Sequence, residues 1–187
     1  VFAADMDGDG DMDIVSASIF DDTFAWYENN NGDASSWTAT DIATNEDGAV
    51  SVFAADMDGD GDMDIVSASY LDDTIAWYEN NNGDASSWTV TDIATSANAP
   101  WTVFAADMDG DGDMDIVSAS HDDDTIAWYE NNNGDASSWT ATDIARSADG
   151  AYSVFAADMD GDGDMDIVSA SRYDDAIAWY ENNNCLL

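Results

Sequence analysis

The stretch from Asp5 to Asp13 reads DMDGDGDMD and carries a carboxylate at every second position. Counted from Asp5, aspartate stands at positions 1, 3, 5, 7 and 9, and glycine at positions 4 and 6. These like charges repel one another unless a cation lies among them. Calcium takes about six to eight hard oxygen ligands. A tight turn that aims several carboxylates at one point therefore predicts a calcium site.

The first six positions match the start of the helical calcium loop, D-x-[DN]-x-[DN]-G, with Gly10 at the sharp turn. The match ends there, because Ser16 stands at position 12 in place of glutamate and the flanks resemble strands. We expect a calcium loop on a β-hairpin, in which Asp11 offers its backbone carbonyl and Asp13 closes the site. Magnesium keeps its waters and zinc prefers His or Cys, so both are weaker candidates. A merely solvated acidic turn does not explain glycine at two fixed positions.

The loop belongs to a repeat. VFAADMDGDGDMDIVSAS begins at Val1, Val52, Val103 and Val154, so successive copies are 51 residues apart. We divide the single repeat domain, 1–187, into units 1–51, 52–102, 103–153 and 154–187. The predicted calcium ligands, with one ion expected per unit, are Asp5, Asp7, Asp9, Asp11, Asp13, Asp56, Asp58, Asp60, Asp62, Asp64, Asp107, Asp109, Asp111, Asp113, Asp115, Asp158, Asp160, Asp162, Asp164 and Asp166.

Each unit contains four short runs rich in Val, Ile, Thr, Tyr and Trp, bounded by Asp, Asn, Gly and Ser, which is typical of strands. In the second unit they are 51–55, 65–69, 74–79 and 88–94. Four strands per repeat predict an all-β fold, a β-propeller of four-stranded blades with the calcium loop between the first two strands of each blade. A stacked solenoid is the competing architecture. The first two strands suit the buried interior, and the fourth suits a partly wet edge.

The stretch DMDGDGDMDIV resembles the D-x-D-G-D-G-x-x-D signature of FG-GAP/VCBS repeats, which form the blades of integrin α-subunit propellers. IAWYENNNGD is similar to the third strand and turn of VCBS repeats. The resemblance covers every unit and implies that the loop joins the first two strands of a blade and binds calcium. The Phe-Gly and Gly-Ala-Pro marks of the family are absent, and family propellers typically have about seven blades.

The fourth unit is expected to lack its last strand, since only Cys-Leu-Leu follows Asn184. A bare sheet edge invites pairing with another chain. We therefore expect either a homo-oligomer, in which two chains make an eight-bladed ring, or a piece of a longer array.

The charge balance restricts the partners. The chain has 42 acidic residues against two basic ones, a formal net charge of −40. Nucleic-acid phosphates and anionic membrane surfaces need Lys and Arg, and no apolar run spans a membrane, so neither is expected as a partner. A high-salt habitat would also favour acidity. Sites of this type suit millimolar calcium, so we expect an extracellular or cell-surface location.

The repeated aromatic pair and the positions that differ between units each allow two interpretations. The repeated Trp-Tyr pair, first seen at Trp26 and Tyr27, is either a sugar-stacking platform or, as we favour, packing between blades. The Asn runs fit turn chemistry. Positions that differ between units include the aromatics Phe20, Tyr70, Trp101, Tyr152 and Tyr173. They fall in loops, where ligands usually bind, although drift in tolerant loops explains them too.

No catalytic grouping is evident, because His121 is the only histidine and the loop carboxylates are committed to metal. The expected function is a non-enzymatic, calcium-stabilised binding or adhesion module that recognises protein or carbohydrate. The alternatives are a propeller-fold hydrolase or lyase, or a purely structural repeat without a ligand.

Overall fold

The computed structural model describes residues 1–183 and consists of strands joined by turns. Fifteen strands are present in this range. They are β1 Phe2–Ala4, β2 Asp13–Ser18, β3 Thr23–Asn29, β4 Trp37–Ala43, β5 Ala49–Ala55, β6 Asp64–Ser69, β7 Thr74–Asn80, β8 Trp88–Ala94, β9 Pro100–Ala106, β10 Asp115–Ser120, β11 Thr125–Asn131, β12 Trp139–Ala145, β13 Ala151–Ala157, β14 Asp166–Ser171 and β15 Ala176–Tyr180.

Each unit is one antiparallel meander in which consecutive strands are neighbours. The sheet orders are β1-β2-β3-β4, β5-β6-β7-β8, β9-β10-β11-β12 and β13-β14-β15. The predicted all-β fold and four-stranded repeat are thus confirmed in the first three units. The expected loss of a fourth strand in the last unit concerns 184–187, which lie outside the described residues.

The strand boundaries follow the sequence closely, with differences of one or two residues at the ends of individual strands. β8 has the predicted bounds, whereas β5 begins at Ala49, two residues earlier than expected, and β7 ends one residue later, at Asn80. A register shift at residues 49 and 51 accommodates the earlier start of β5. The linker between units therefore enters the first strand directly.

Burial follows the order of strands within a sheet. Every residue of β6 and β10 is buried, whereas β8 and β12 are largely exposed. These two second strands are therefore covered on both faces, whereas β2 and β14 of the first and last sheets are only partly buried and the fourth strands face water, as the composition of the strands predicted. Burial of the apolar second strands is a main source of stability because it removes apolar surface from water.

Three apolar clusters join consecutive sheets, first to second, second to third and third to fourth. Trp26 and Tyr78 lie in one of these clusters and Trp77 and Tyr129 in another, so the packing interpretation is confirmed for the Trp-Tyr pair of the second unit. The first strands come close to one another across units. There the Phe2, Phe53, Phe104 and Phe155 rings form a continuous row with centroid distances of 4.3, 4.6 and 4.7 Å.

The row of sheets does not close on itself within residues 1–183, since the three clusters include none between the fourth and first sheets. In that range no helix is long and apolar enough to cross a membrane.

Candidate metal centre and aromatic face

Each Asp loop connects the first and second strands of its unit, as predicted. Asp13 is the first residue of β2 and pairs with Ala4 in the antiparallel register, so the loop is closed at its base by the hairpin itself. Gly8 and Gly10 have φ values of 72° and 95°, a region that residues with a Cβ rarely adopt. Glycine at positions 4 and 6 thus lets the chain turn sharply enough to bring its aspartates together.

Backbone N–H groups inside the loop orient the carboxylates. The N–H of Gly10 donates to Asp5 Oδ2 at 2.9 Å, and the N–H of Asp11 donates to Asp9 Oδ1 at 2.9 Å. Asp7 Oδ1 accepts from the N–H of Asp9 at 3.2 Å. The same three bonds recur in the other units. The loop is therefore held by its own side chains in one repeated conformation.

The aspartate at position 9 ties the loop to the sheet. Asp13 is buried; its Oδ2 accepts from the N–H of Met6 at 3.1 Å, and its Oδ1 accepts from the N–H of Asn29 at 2.8 Å. Burial raises the pKa of the equivalent Asp64 and Asp115 to about 6. This residue is thus both a structural anchor and a candidate ligand.

Carboxylate oxygens converge in all four loops. In each loop three carboxylates place one oxygen within 4.8 Å of the others. The sets are Asp5, Asp7 and Asp13; Asp56, Asp58 and Asp64; Asp107, Asp109 and Asp111; and Asp158, Asp160 and Asp162. Every set contains positions 1 and 3 of the loop. The third member is position 9 in the first two units and position 5 in the last two.

These oxygens fit a hard divalent cation. Asp5 Oδ1 is inaccessible to water and has no hydrogen-bond partner among the described residues, which is costly for a carboxylate oxygen. Burial, followed by the charges of neighbouring carboxylates, raises the pKa of Asp7, Asp58 and Asp109 at position 3. A divalent cation at the convergence point would satisfy the oxygen and offset the repulsion.

The side chain at position 7 is turned away from the convergence point. A Cβ added at Gly32 would overlap the carboxylate of Asp11, and the same holds for Gly83 with Asp62 and for Gly134 with Asp113. The carboxylate of Asp11 therefore lies against the turn after β3. Any contribution of this residue to a metal site is left to its carbonyl, which stays a prediction.

A buried asparagine that the sequence pattern did not predict links neighbouring loops. Asn80 is fully buried; its Nδ2 donates to the carbonyl of Met6 in the preceding unit's loop at 2.9 Å. Its N–H donates to Asp64 Oδ1 at 2.8 Å, and its Oδ1 accepts from the N–H of Ala85 at 3.0 Å. Asn131 and Asn182 donate to the preceding unit in the same way. Extending the predicted third strand by one residue would have placed Asn80 on the buried face with Tyr78.

Five rings gather at the opposite ends of the first and second strands. This aromatic cluster consists of Tyr70, Trp101, His121, Tyr152 and Tyr173. The Trp101 ring lies 5.0 Å from Tyr70 and 4.7 Å from Tyr152, with which it is stacked, and the His121 ring lies 5.2 Å from Tyr173. All five occupy positions that differ between the units. Phe20, another aromatic at such a position, is 98% exposed and takes no part.

The aromatic cluster has a polar border. The guanidinium carbon of Arg172 lies 5.7 Å from the centre of the Tyr173 ring, and His121 Nδ1 lies 2.7 Å from Asp122 Oδ1. An open depression of about 420 Å³ is lined by Tyr152, Ala170, Ser171 and Arg172. The surface thus combines ring faces with hydroxyl and guanidinium donors, a combination that suits a ligand with both apolar and hydrogen-bonding groups.

The geometry defines an all-β repeat protein whose units each carry an acidic loop between their first two strands. The FG-GAP-like repeat family matches residues 5–67, 56–118 and 107–169, so the chain belongs to this family and the resemblance is confirmed. No curated protein matches the chain.

Proposed function

We propose that the chain is a calcium-stabilised β-propeller module for binding or adhesion. The observation that carries this proposal is the convergence of three carboxylates in each of four loops of identical sequence. Family membership supports the repeat architecture, and the close approach of the first strands in consecutive sheets supports blades arranged around an axis.

Calcium is the ion that the donor set favours. The loops offer carboxylate and backbone carbonyl oxygens, the hard ligands of calcium, and contain no His or Cys for zinc. Asp5, Asp7, Asp9 and Asp13 of the first loop and their equivalents would hold the ion. When bound, calcium supplies positive charge that offsets the clustered carboxylates. Its binding energy adds to folding stability, because the unfolded chain has no preformed site.

The aromatic cluster supports recognition of a ligand on the face remote from the Asp loops. Ring faces bind the apolar faces of sugars and of protein side chains, and the nearby Ser171 and Arg172 offer hydrogen-bond donors. We place carbohydrate or protein binding at this face. Calcium concentrations outside cells suit such loops, which supports an extracellular or cell-surface location.

The metal assignment is tested by thermal unfolding and by measuring bound calcium. Chelation should lower the melting temperature strongly, and the calcium-loaded chain should hold one ion per loop. The Asp56→Asn/Asp58→Asn double variant should lose one ion. As control, Asp92→Asn removes an exposed carboxylate from β8 and should keep every ion. A melting temperature indifferent to chelation would refute calcium stabilisation.

Recognition is tested separately on a glycan array in calcium and by capture of surface proteins. Tyr152→Ala removes a partly exposed ring of the aromatic cluster and should weaken any binding found there. Phe20→Ala removes an exposed ring outside the cluster and should leave that binding unchanged. Equal loss of binding in the two variants would mean that the ligand does not bind at the aromatic cluster.

A further inference from the structure

A chain of buried hydrogen bonds, which we call the asparagine relay, runs from one Asp loop to the next. In the first unit Asp13 Oδ2 accepts from the N–H of Met6 at 3.1 Å, and the Met6 carbonyl accepts from Asn80 Nδ2 at 2.9 Å. The N–H of Asn80 donates to Asp64 Oδ1 at 2.8 Å, and Asp64 Oδ2 accepts from the N–H of Met57 at 3.1 Å. All of these residues are at most 1% exposed, so the bonds that join the two loops are shielded from water.

The relay recurs in the same form at the later junctions between units. Asn131 Nδ2 donates to the Met57 carbonyl at 2.9 Å, and the N–H of Asn131 donates to Asp115 Oδ1 at 2.8 Å. Asn182 makes the equivalent two bonds between the third and fourth units, at 2.6 and 2.8 Å. The relay therefore passes through the position-9 aspartates of all four loops, which are Asp13, Asp64, Asp115 and Asp166.

Both ends of the first asparagine bridge belong to candidate metal sites. Met6 lies between Asp5 and Asp7, two members of the converging set in the first loop, and Asp64 is a member of the set in the second loop. With an ion bound, Asp5 and Asp7 are fixed in place, and the Met6 peptide group between them is fixed too. The Met6 carbonyl then holds the Asn80 side chain, and the N–H of Asn80 holds Asp64. Ordering of one loop thus positions a ligand of the next.

We propose that Asn80 and its equivalents are positioning residues that couple neighbouring calcium sites, so that an ion in one loop raises the affinity of the adjacent loop. This inference rests on the calcium binding proposed above. Ordering a flexible loop costs conformational entropy, and an ion that binds beside an already ordered loop meets a smaller cost. The coupling is reciprocal, because each ion must affect the binding of the other by the same factor. Repulsion between the two ions acts in the opposite direction, and about 0.15 M salt screens it beyond about 8 Å.

Calcium titration of chains that keep two active loops tests the coupling. The adjacent-pair chain keeps the first and second loops, and the separated-pair chain keeps the first and fourth. In each inactivated loop, asparagine replaces the aspartates at positions 1 and 3, which removes their charge and preserves their shape. The adjacent-pair chain carries Asp107→Asn, Asp109→Asn, Asp158→Asn and Asp160→Asn, and the separated-pair chain carries Asp56→Asn, Asp58→Asn, Asp107→Asn and Asp109→Asn.

The two chains should differ in the cooperativity of calcium binding. In the adjacent pair, the first ion should raise the affinity for the second about fivefold, which corresponds to a Hill coefficient of about 1.4. The separated pair should bind its ions independently, because two inactivated loops lie between them. Equal cooperativity in both chains would mean that global folding couples the ions, and it would overturn the proposal. Independent binding in both would overturn the coupling and leave calcium binding standing, whereas a parent chain that binds no calcium would overturn both.

A variant of the asparagine itself tests its part in the coupling. In the adjacent-pair chain, Asn80→Ala removes the donor to the Met6 carbonyl and should lower the Hill coefficient to that of the separated pair. A role in stability alone would weaken the binding of both ions and leave the Hill coefficient unchanged. Asn82→Ala, at an exposed position in the same turn, should keep the cooperativity. Cooperativity that survives Asn80→Ala would overturn the role of the asparagine. The comparison of the two pairs decides the coupling even where this variant does not fold.

Discussion

The aspartate at position 7 of the Asp loop packs against a glycine in the turn after the third strand. The carboxylate of Asp62 occupies the space that a Cβ at Gly83 would need, and Gly83 has φ of 68°. Gly83→Ala should therefore destabilise the fold by about 2 kcal/mol or more through overlap and backbone strain. In an Asp62→Ala background the same substitution should cost about half as much, since only the strain remains. Urea unfolding in calcium measures both values, and equal costs in the two backgrounds would show that the contact is unimportant.

Asp72 offers a pH-dependent prediction away from the metal loops. Loss of hydration and the charge of nearby Glu46 raise its pKa to about 6. The folded state then holds the proton more tightly than the unfolded chain, so Asp72 lowers stability as pH rises through this range. Asp72→Asn should be more stable than the parent near pH 7.5, about where the penalty is complete, and the advantage should shrink on acidification towards about pH 4.

Thermal unfolding of the parent and Asp72→Asn, in saturating calcium across this pH range, measures the difference. Asp92→Asn is the control, because it removes one exposed carboxylate from β8. Subtracting the change seen in Asp92→Asn leaves the part of the effect that is specific to Asp72. An advantage of Asp72→Asn that grows on acidification would have the wrong sign and would refute the assignment.

At the scale of strands and turns, the buried asparagine after each third strand connects two units. Asn131 is fully buried and contacts the Met57 carbonyl of the preceding loop and the N–H of Ala136. Asn131→Ala leaves both groups without a partner and should lower the free energy of unfolding by about 2–4 kcal/mol. Asn133→Ala removes one exposed hydrogen bond, to Ser137, and should change it by less than about 0.5 kcal/mol. Comparable losses in the two variants, measured by urea unfolding, would contradict the linking role.

The sequence predicts the strands well because their composition and their turns act locally. β8 has the predicted bounds, and the loop lies between the first two strands as expected. The role of Asn80 could not be read in the same way, since its partner Met6 is 74 residues away and becomes a neighbour only when two sheets pack. Likewise, spacing alone did not show that Asp11 turns towards Gly32, because the two residues belong to different turns.

At the scale of the whole molecule, the aromatic cluster arises from the repetition of nearly identical units. Tyr70, Trp101 and Tyr152 belong to three different sheets, and none contacts another along its own strand. The sequence identified these positions as variable, but only the stacking of sheets brings them to one place. The repeated units thus form a uniform stack of sheets. The few residues that differ between copies form the aromatic cluster, where we propose that a ligand binds.

The net charge of −40 leads to a final prediction about salt. Four divalent ions would reduce the charge to −32 and would do so where the carboxylates are closest together. The calcium-free chain therefore carries more self-repulsion, and screening by salt should stabilise it more. Raising sodium chloride from about 0.1 M to about 1 M, which shortens the screening length from about 10 Å to about 3 Å, should raise the melting temperature in chelator more than in calcium. Sucrose at matched osmolality stabilises without screening and should not reproduce the difference between the two states. An equal response to salt with and without calcium would mean that repulsion in the Asp loops contributes little to stability.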